Sequence, residues 1–126
     1  MTFFLTLDIV HQIHQRMVTE FGGDPGVRDE GLAASAVAMP AQAFGGELLH
    51  RDVPSQTAAY LFHICRNHPF VDGNKRTALA AAELFVLLNG HVLKATNEEL
   101  VELTLGVAEG TLTKEAVTDF FSRHIG

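Results

Sequence analysis

From Asn74 to Leu88 the chain carries apolar side chains around almost the whole circumference of a helix. After a polar first turn only Glu83 interrupts Ala78, Leu79, the alanines at 80–82, Leu84, Phe85, Val86, Leu87 and Leu88. A helix that is apolar on every face has to be enclosed by other elements, so this run predicts a central buried helix with the rest of the chain packed around it. Asn89-Gly90 closes it, because Gly accepts the left-handed conformation of a helix C-terminus. The run is shorter than the roughly 20 residues of a membrane span, and no other stretch comes closer.

Helical spacing governs the remainder as well. Ile9, Val10, Ile13, Met17 and Phe21 mark a helix from Leu7 to Phe21, with Thr6 as its N-cap. Gly22-Gly23-Asp24-Pro25-Gly26 breaks it. Asp29 caps a second helix through Leu32, Ala36, Val37 and Met39 to about Pro40, and its small residues permit a close neighbour. Gly45 to Asp52 is irregular and predicts a surface loop or short hairpin. Pro54 and Ser55 open a third helix, which ends near Asn67 because Pro69 biases His68 away from helical geometry. Thr96-Asn97-Glu98-Glu99 is a capping box before Leu100 and Leu103. Gly110 stops that helix, and Thr113 caps a last one holding Val117, Phe120 and Phe121. Only His91-Val92-Leu93 reads as extended. With no repeat, low-complexity tract or linker, the expectation is one all-α domain over residues 1–126, with about six helices.

Charge narrows the class of ligand. Fifteen acidic against nine basic residues give a net charge of −6, whereas proteins that grip a nucleic-acid backbone present a surplus of positive charge. The basic residues are scattered except for the adjacent Lys75 and Arg76, with Arg66 nearby. Two cations beside a Gly-Asn turn in an acidic chain suit a small anion. A single cysteine precludes an intramolecular disulfide. The N-terminus has no basic region ahead of an apolar stretch and predicts no secretory signal. The expectation is a cytoplasmic protein.

The most informative residues are His68-Pro69-Phe70-Val71-Asp72-Gly73-Asn74-Lys75-Arg76, where one helix ends and the apolar helix begins. A helix N-terminus presents unpaired N–H groups and a partial positive charge, and so favours phosphate. Gly73 lets the backbone approach a ligand, and the Asn74 amide can hydrogen-bond a phosphate oxygen. Cations at a helix N-terminus cost a few tenths of a kcal/mol up to ~1, a penalty that a bound anion reverses at Lys75 and Arg76. Asp72 is a hard oxygen ligand beside the expected phosphates, and Mg2+ commonly needs only one or two carboxylates besides them. His68 can accept the proton of an incoming hydroxyl. These residues predict transfer of a phosphate-containing group from a magnesium nucleotide to a hydroxyl.

Taken singly, the same residues have plainer readings: a histidine closing a helix, an Asp-Gly turn, a solvated basic pair. Their conjunction overturns those readings. His11 and His14 share a helical face without a third ligand and read as surface residues. Cys65 reads as a small buried hydrophobe, Phe70 as a core anchor of the loop, and His63 as a core or boundary residue. His50, His91 and His124 carry no signal.

The stretch from His68 to Arg76 resembles the Fic/Doc superfamily signature HxFx(D/E)GN(G/K)R at every defining position. Gly22-Gly23, Gly26 to Leu32, Phe44 to Glu47 and Asn89-Gly90 are similar, in order and spacing, to proteins of the death-on-curing (Doc) kind. The resemblance implies a compact Fic fold, with His68 as base, Asp72 as metal ligand, and Gly73, Asn74, Lys75 and Arg76 as the phosphate-binding turn. The residues from Gly45 to Asp52 would match the flap, which holds a target peptide by strand addition. Adenylyltransferase members have Gly where this chain has Lys75, and a second Arg where it has Leu79. Both departures point to the Doc kind, which implies a toxin that transfers the γ-phosphate of Mg-ATP to a threonine of elongation factor Tu. AMP transfer and a non-catalytic binding module are the alternatives. The inhibitory motif (S/T)xxxE(G/N) has no match, and Thr111-Leu112-Thr113-Lys114-Glu115 departs from it at Ala116. The Doc kind implies control by an antitoxin whose disordered C-terminal segment folds on binding.

Overall fold

The computed structural model describes residues Met1 to Gly126. Six helices account for most of the chain: α1 (Leu7–Phe21), α2 (Glu30–Ala38), α3 (Val53–Asn67), α4 (Asn74–Leu88), α5 (Asn97–Glu109) and α6 (Lys114–His124). A 3-10 turn, Met39–Ala41, follows α2 and leads into a hairpin of β1 (Ala43–Phe44) and β2 (Glu47–Leu48). The expected all-α fold with a short hairpin is what forms.

Local chemistry sets the helix starts. Thr6 accepts from the Ile9 N–H, Asp29 from Leu32 and Thr113 from Ala116. Thr96 and Glu99 form the expected reciprocal capping box. Each of these satisfies a donor that a helix N-terminus leaves open. The third helix starts earlier than Pro54: Asp52 is its cap, exchanging hydrogen bonds with Ser55, and Pro54 sits inside the first turn. The Ser55 hydroxyl and N–H hold the Asp52 carboxyl below its ordinary range.

The helices share one core, in which Tyr60, Ile64, Phe70, Phe85, Val107 and Phe121 are fully enclosed. α4 packs on α1, α3 and α5, while α3 packs on α2, α4, α5 and α6. The centre is therefore held by the two helices that flank the motif, and the far end of α4 emerges, leaving Leu87 64% exposed. The Tyr60 hydroxyl donates no bond in this core but accepts one from the Leu5 N–H, and burial pushes its pKa up to about 12. The stretch after α4 is extended as expected, with Val92 and Gly126 exchanging backbone hydrogen bonds.

On the side of α3 near the hairpin, the Lys114 ammonium lies 3.1 Å from His50 Nε2 and 3.2 Å from His63 Nε2. Both imidazoles serve as acceptors there. Burial, with the Lys114 charge beside it, lowers the pKa of His50 and drives that of His63 down to about 4. His63 thus faces Lys114 of α6, and His50, which carried no sequence signal, is a buried partner in this triad.

Candidate active site

The motif forms the turn between α3 and α4. His68 leaves the helix in the left-handed region, with φ 50° and ψ 55°. Pro69 stops the helix as expected, and His68 leaves helical geometry by taking this left-handed conformation. Gly73, at φ 80°, then starts α4, a backbone angle at which a Cβ is strained.

The loop between α1 and α2 braces this turn at several points. Arg28 donates from Nε to the His68 carbonyl at 2.7 Å and from Nη2 to the Asn67 carbonyl at 2.9 Å. It thereby caps the C-terminus of α3 with a cation, which the helix dipole favours. The Pro69 carbonyl accepts from the N–H groups of Arg28 and Asp29, and the Gly26 carbonyl from the N–H of Val71. The Asp24 N–H donates to Asp72 Oδ2 at 2.8 Å, which orients the carboxylate and leaves its second oxygen without a protein partner. From α2, the Leu32 carbonyl accepts from Asn67 Nδ2.

Two side chains stand elsewhere than the sequence suggested. The Asn74 amide, expected to meet phosphate, closes the turn: Oδ1 accepts from the Phe70 N–H at 2.9 Å and Nδ2 donates to the Phe70 carbonyl at 2.8 Å. It is buried, so what Asn74 offers a ligand is its backbone N–H. His14, expected at the surface, is fully buried. Its ring stacks on Phe70 with centroids 3.8 Å apart, and Nε2 donates to the Asp72 carbonyl at 2.9 Å. A histidine on the apolar face of α1, at helical spacing from Val10, was the available signal. Phe70 is fully enclosed, as expected.

His68, Asp72, Gly73, Asn74, Lys75 and Arg76 all line one cavity of about 620 Å³. The first α4 hydrogen bond runs from the Thr77 N–H to the Gly73 carbonyl, so the N–H groups of Gly73, Asn74, Lys75 and Arg76 have no protein acceptor. Such a row of unpaired donors at a helix N-terminus is suited to an anion. The Arg76 guanidinium lies over the Phe21 ring, 4.2 Å from its centroid, an arrangement that steadies a cation. Opposite the turn, Leu79, Val101, Leu105 and Ala108 supply an apolar wall. Cys65 reaches the same cavity, but burial pushes its thiol up to about 12. It therefore stays protonated and is no nucleophile.

No group of three or more His, Cys, Asp or Glu side chains is placed to hold a metal. The donor set fits Mg2+ in its usual protein setting, where a single carboxylate, here Asp72, is completed by phosphate oxygens and water.

A profile described as the Fic/DOC family matches residues 4–86. The chain is 35% identical over 114 residues to the protein kinase doc of Escherichia phage P1, an alignment covering 90% of this chain and 89% of that protein. It is 47% identical over 75 residues to the toxin Doc of Mycolicibacterium smegmatis, covering 60% of this chain and 58% of that protein.

Proposed function

The chain belongs to the Fic/DOC family, and on that footing we propose that it is a Doc-type toxin acting as a protein kinase in the cytoplasm. Its substrate pair would be Mg-ATP and a serine or threonine hydroxyl of a target protein, by resemblance elongation factor Tu. The observation that carries this reading is the meeting of His68 with four unpaired backbone N–H groups and two cations on one cavity wall.

In this reading the N–H groups of Gly73 to Arg76 bind the phosphates, and Lys75 and Arg76 neutralise them. The apolar wall of Leu79, Val101 and Leu105 takes the nucleobase. Mg2+, held by Asp72, supplies charge neutralisation of the phosphate oxygens when bound. His68 takes the proton of the target hydroxyl as its oxygen bonds to the γ-phosphorus. The bond from that phosphorus to the β–γ bridging oxygen breaks, and ADP leaves. The hairpin of Ala43 to Leu48 is exposed on both strands apart from the half-covered Leu48, which suits strand addition by a target peptide. Leu79 lines the cavity where an adenylyltransferase would carry its second Arg, and this favours phosphate over AMP as the transferred group. Control falls to an antitoxin whose disordered C-terminal segment folds against apolar surface. Val71, Val101 and Leu105, exposed at the cavity mouth, provide some.

The test is incubation with elongation factor Tu and Mg2+, using ATP labelled at the α- or the γ-phosphate. Label from γ alone is expected, and His68→Ala should slow its transfer by about 10²-fold or more. Label from α would replace the kinase by an adenylyltransferase. No label on any target would leave a nucleotide-binding module.

A further inference from the structure

We infer that His14 is a positioning residue that aims the Gly73 N–H into the phosphate-binding cavity, an inference that rests on the reading of this turn as an anion site. The Asp72 carbonyl can only accept, so the proton of the imidazole is on Nε2. His14 Nδ1 is buried and has no partner, which leaves the Asp72 carbonyl as the ring's one polar contact. The ring is clamped as well: it lies nearly parallel to Phe70, at 8°, and is fully buried. Phe70 is itself locked by both bonds to Asn74.

The consequence follows from the planarity of one peptide. The bond between Asp72 and Gly73 is trans, so its carbonyl and its N–H point in opposite directions. With the carbonyl drawn inward to His14, the Gly73 N–H must face outward, and it has no protein acceptor there. Gly73 at φ 80° is the residue least able to resist rotation of this peptide. Without a donor beneath it, the carbonyl would exchange places with the N–H and present an oxygen to the phosphates. His14, which reaches no substrate, would thus decide the sign of the dipole that the substrate meets.

Two substitutions separate this role from simple packing. His14→Phe keeps an aromatic ring against Phe70 and removes the donor. His14→Gln loses the ring and can return an N–H near the Nε2 position. Binding of Mg-ATP to the full chain is measured by titration calorimetry, and the Gly73 amide is followed by 15N NMR without ligand. The expectation is a loss of affinity of about tenfold and a displaced Gly73 resonance in His14→Phe, with both largely restored in His14→Gln. Wild-type affinity in His14→Phe, or retention of binding in neither variant, overturns the inference. Should the variants fail to fold, imidazole 15N shifts of the wild-type protein decide: a proton on Nδ1 overturns it, and one on Nε2 upholds it. If the wild-type chain binds no nucleotide, the reading of the site fails, and the Gly73 resonance still judges the role of His14.

Discussion

At the scale of single residues, the site stores strain at the residue proposed as its base. His68 is the one non-glycine residue with positive φ, a conformation that costs an L-residue roughly 1–2 kcal/mol. Its ring is exposed and makes no hydrogen bond, so the fold gains little from it. His68→Gly should therefore raise the stability to urea, by up to about 1 kcal/mol once the greater freedom of Gly in the unfolded chain is counted. The same change should slow the proposed group transfer by about 10²-fold or more. Equal or lower stability would show that His68 is held for the fold and not for the reaction. Residue types were legible here and their directions were not. The sequence places Asn74 in the turn, yet nothing in its spacing says whether its amide faces the ligand or the Phe70 backbone. Likewise, the spacing of His14 from Val10 places it on the apolar face of α1, but the aromatic ring it stacks on lies far along the chain and is brought beneath it only by the fold.

Among the elements, the link that matters most joins the α1–α2 loop to the end of α3. Arg28 contributes two charge-assisted bonds to carbonyls that the helix leaves unpaired. Arg28→Ala should cost about 0.5–1.5 kcal/mol, less than buried bonds to a charged group because both of these are exposed to water. Arg28→Lys should recover less than half, because an ammonium cannot reproduce a fork that spans two carbonyls. Denaturation midpoints of the two variants measure both values, and a Lys variant equal to wild type would argue that charge alone suffices. The helix starts were readable because a cap is a matter of three residues: Thr6, Asp29, Thr96 and Thr113 each bond as their spacing requires. The bond from Arg28 to His68 crosses 40 residues, and no local pattern announces it.

For the molecule as a whole, the contact between His50, His63 and Lys114 makes stability depend on pH. Both histidines titrate lower in the folded chain than their ordinary 6.5, His63 at about 4. Between these limits the unfolded chain binds more protons, so their contribution is complete above pH 6.5 and is lost as pH falls towards 4. Urea midpoints should decline across that interval, and His63→Gln should flatten the decline; an unchanged slope would remove the triad from the account. These three residues come from three parts of the chain, which is why the sequence assigned His50 no role. The bracing of the turn has a further consequence, in the order of events during synthesis. His14 and Asp24 are made long before the Asp72 they bond, and Arg28 long before Asn67 and His68, so all three must wait for their partners. The N–H groups they help to aim gain the field of a helix only when α4 follows. A chain that has grown only as far as α3 therefore lacks the proposed phosphate site, and the apolar wall of Val101, Leu105 and Ala108 is added only with α5.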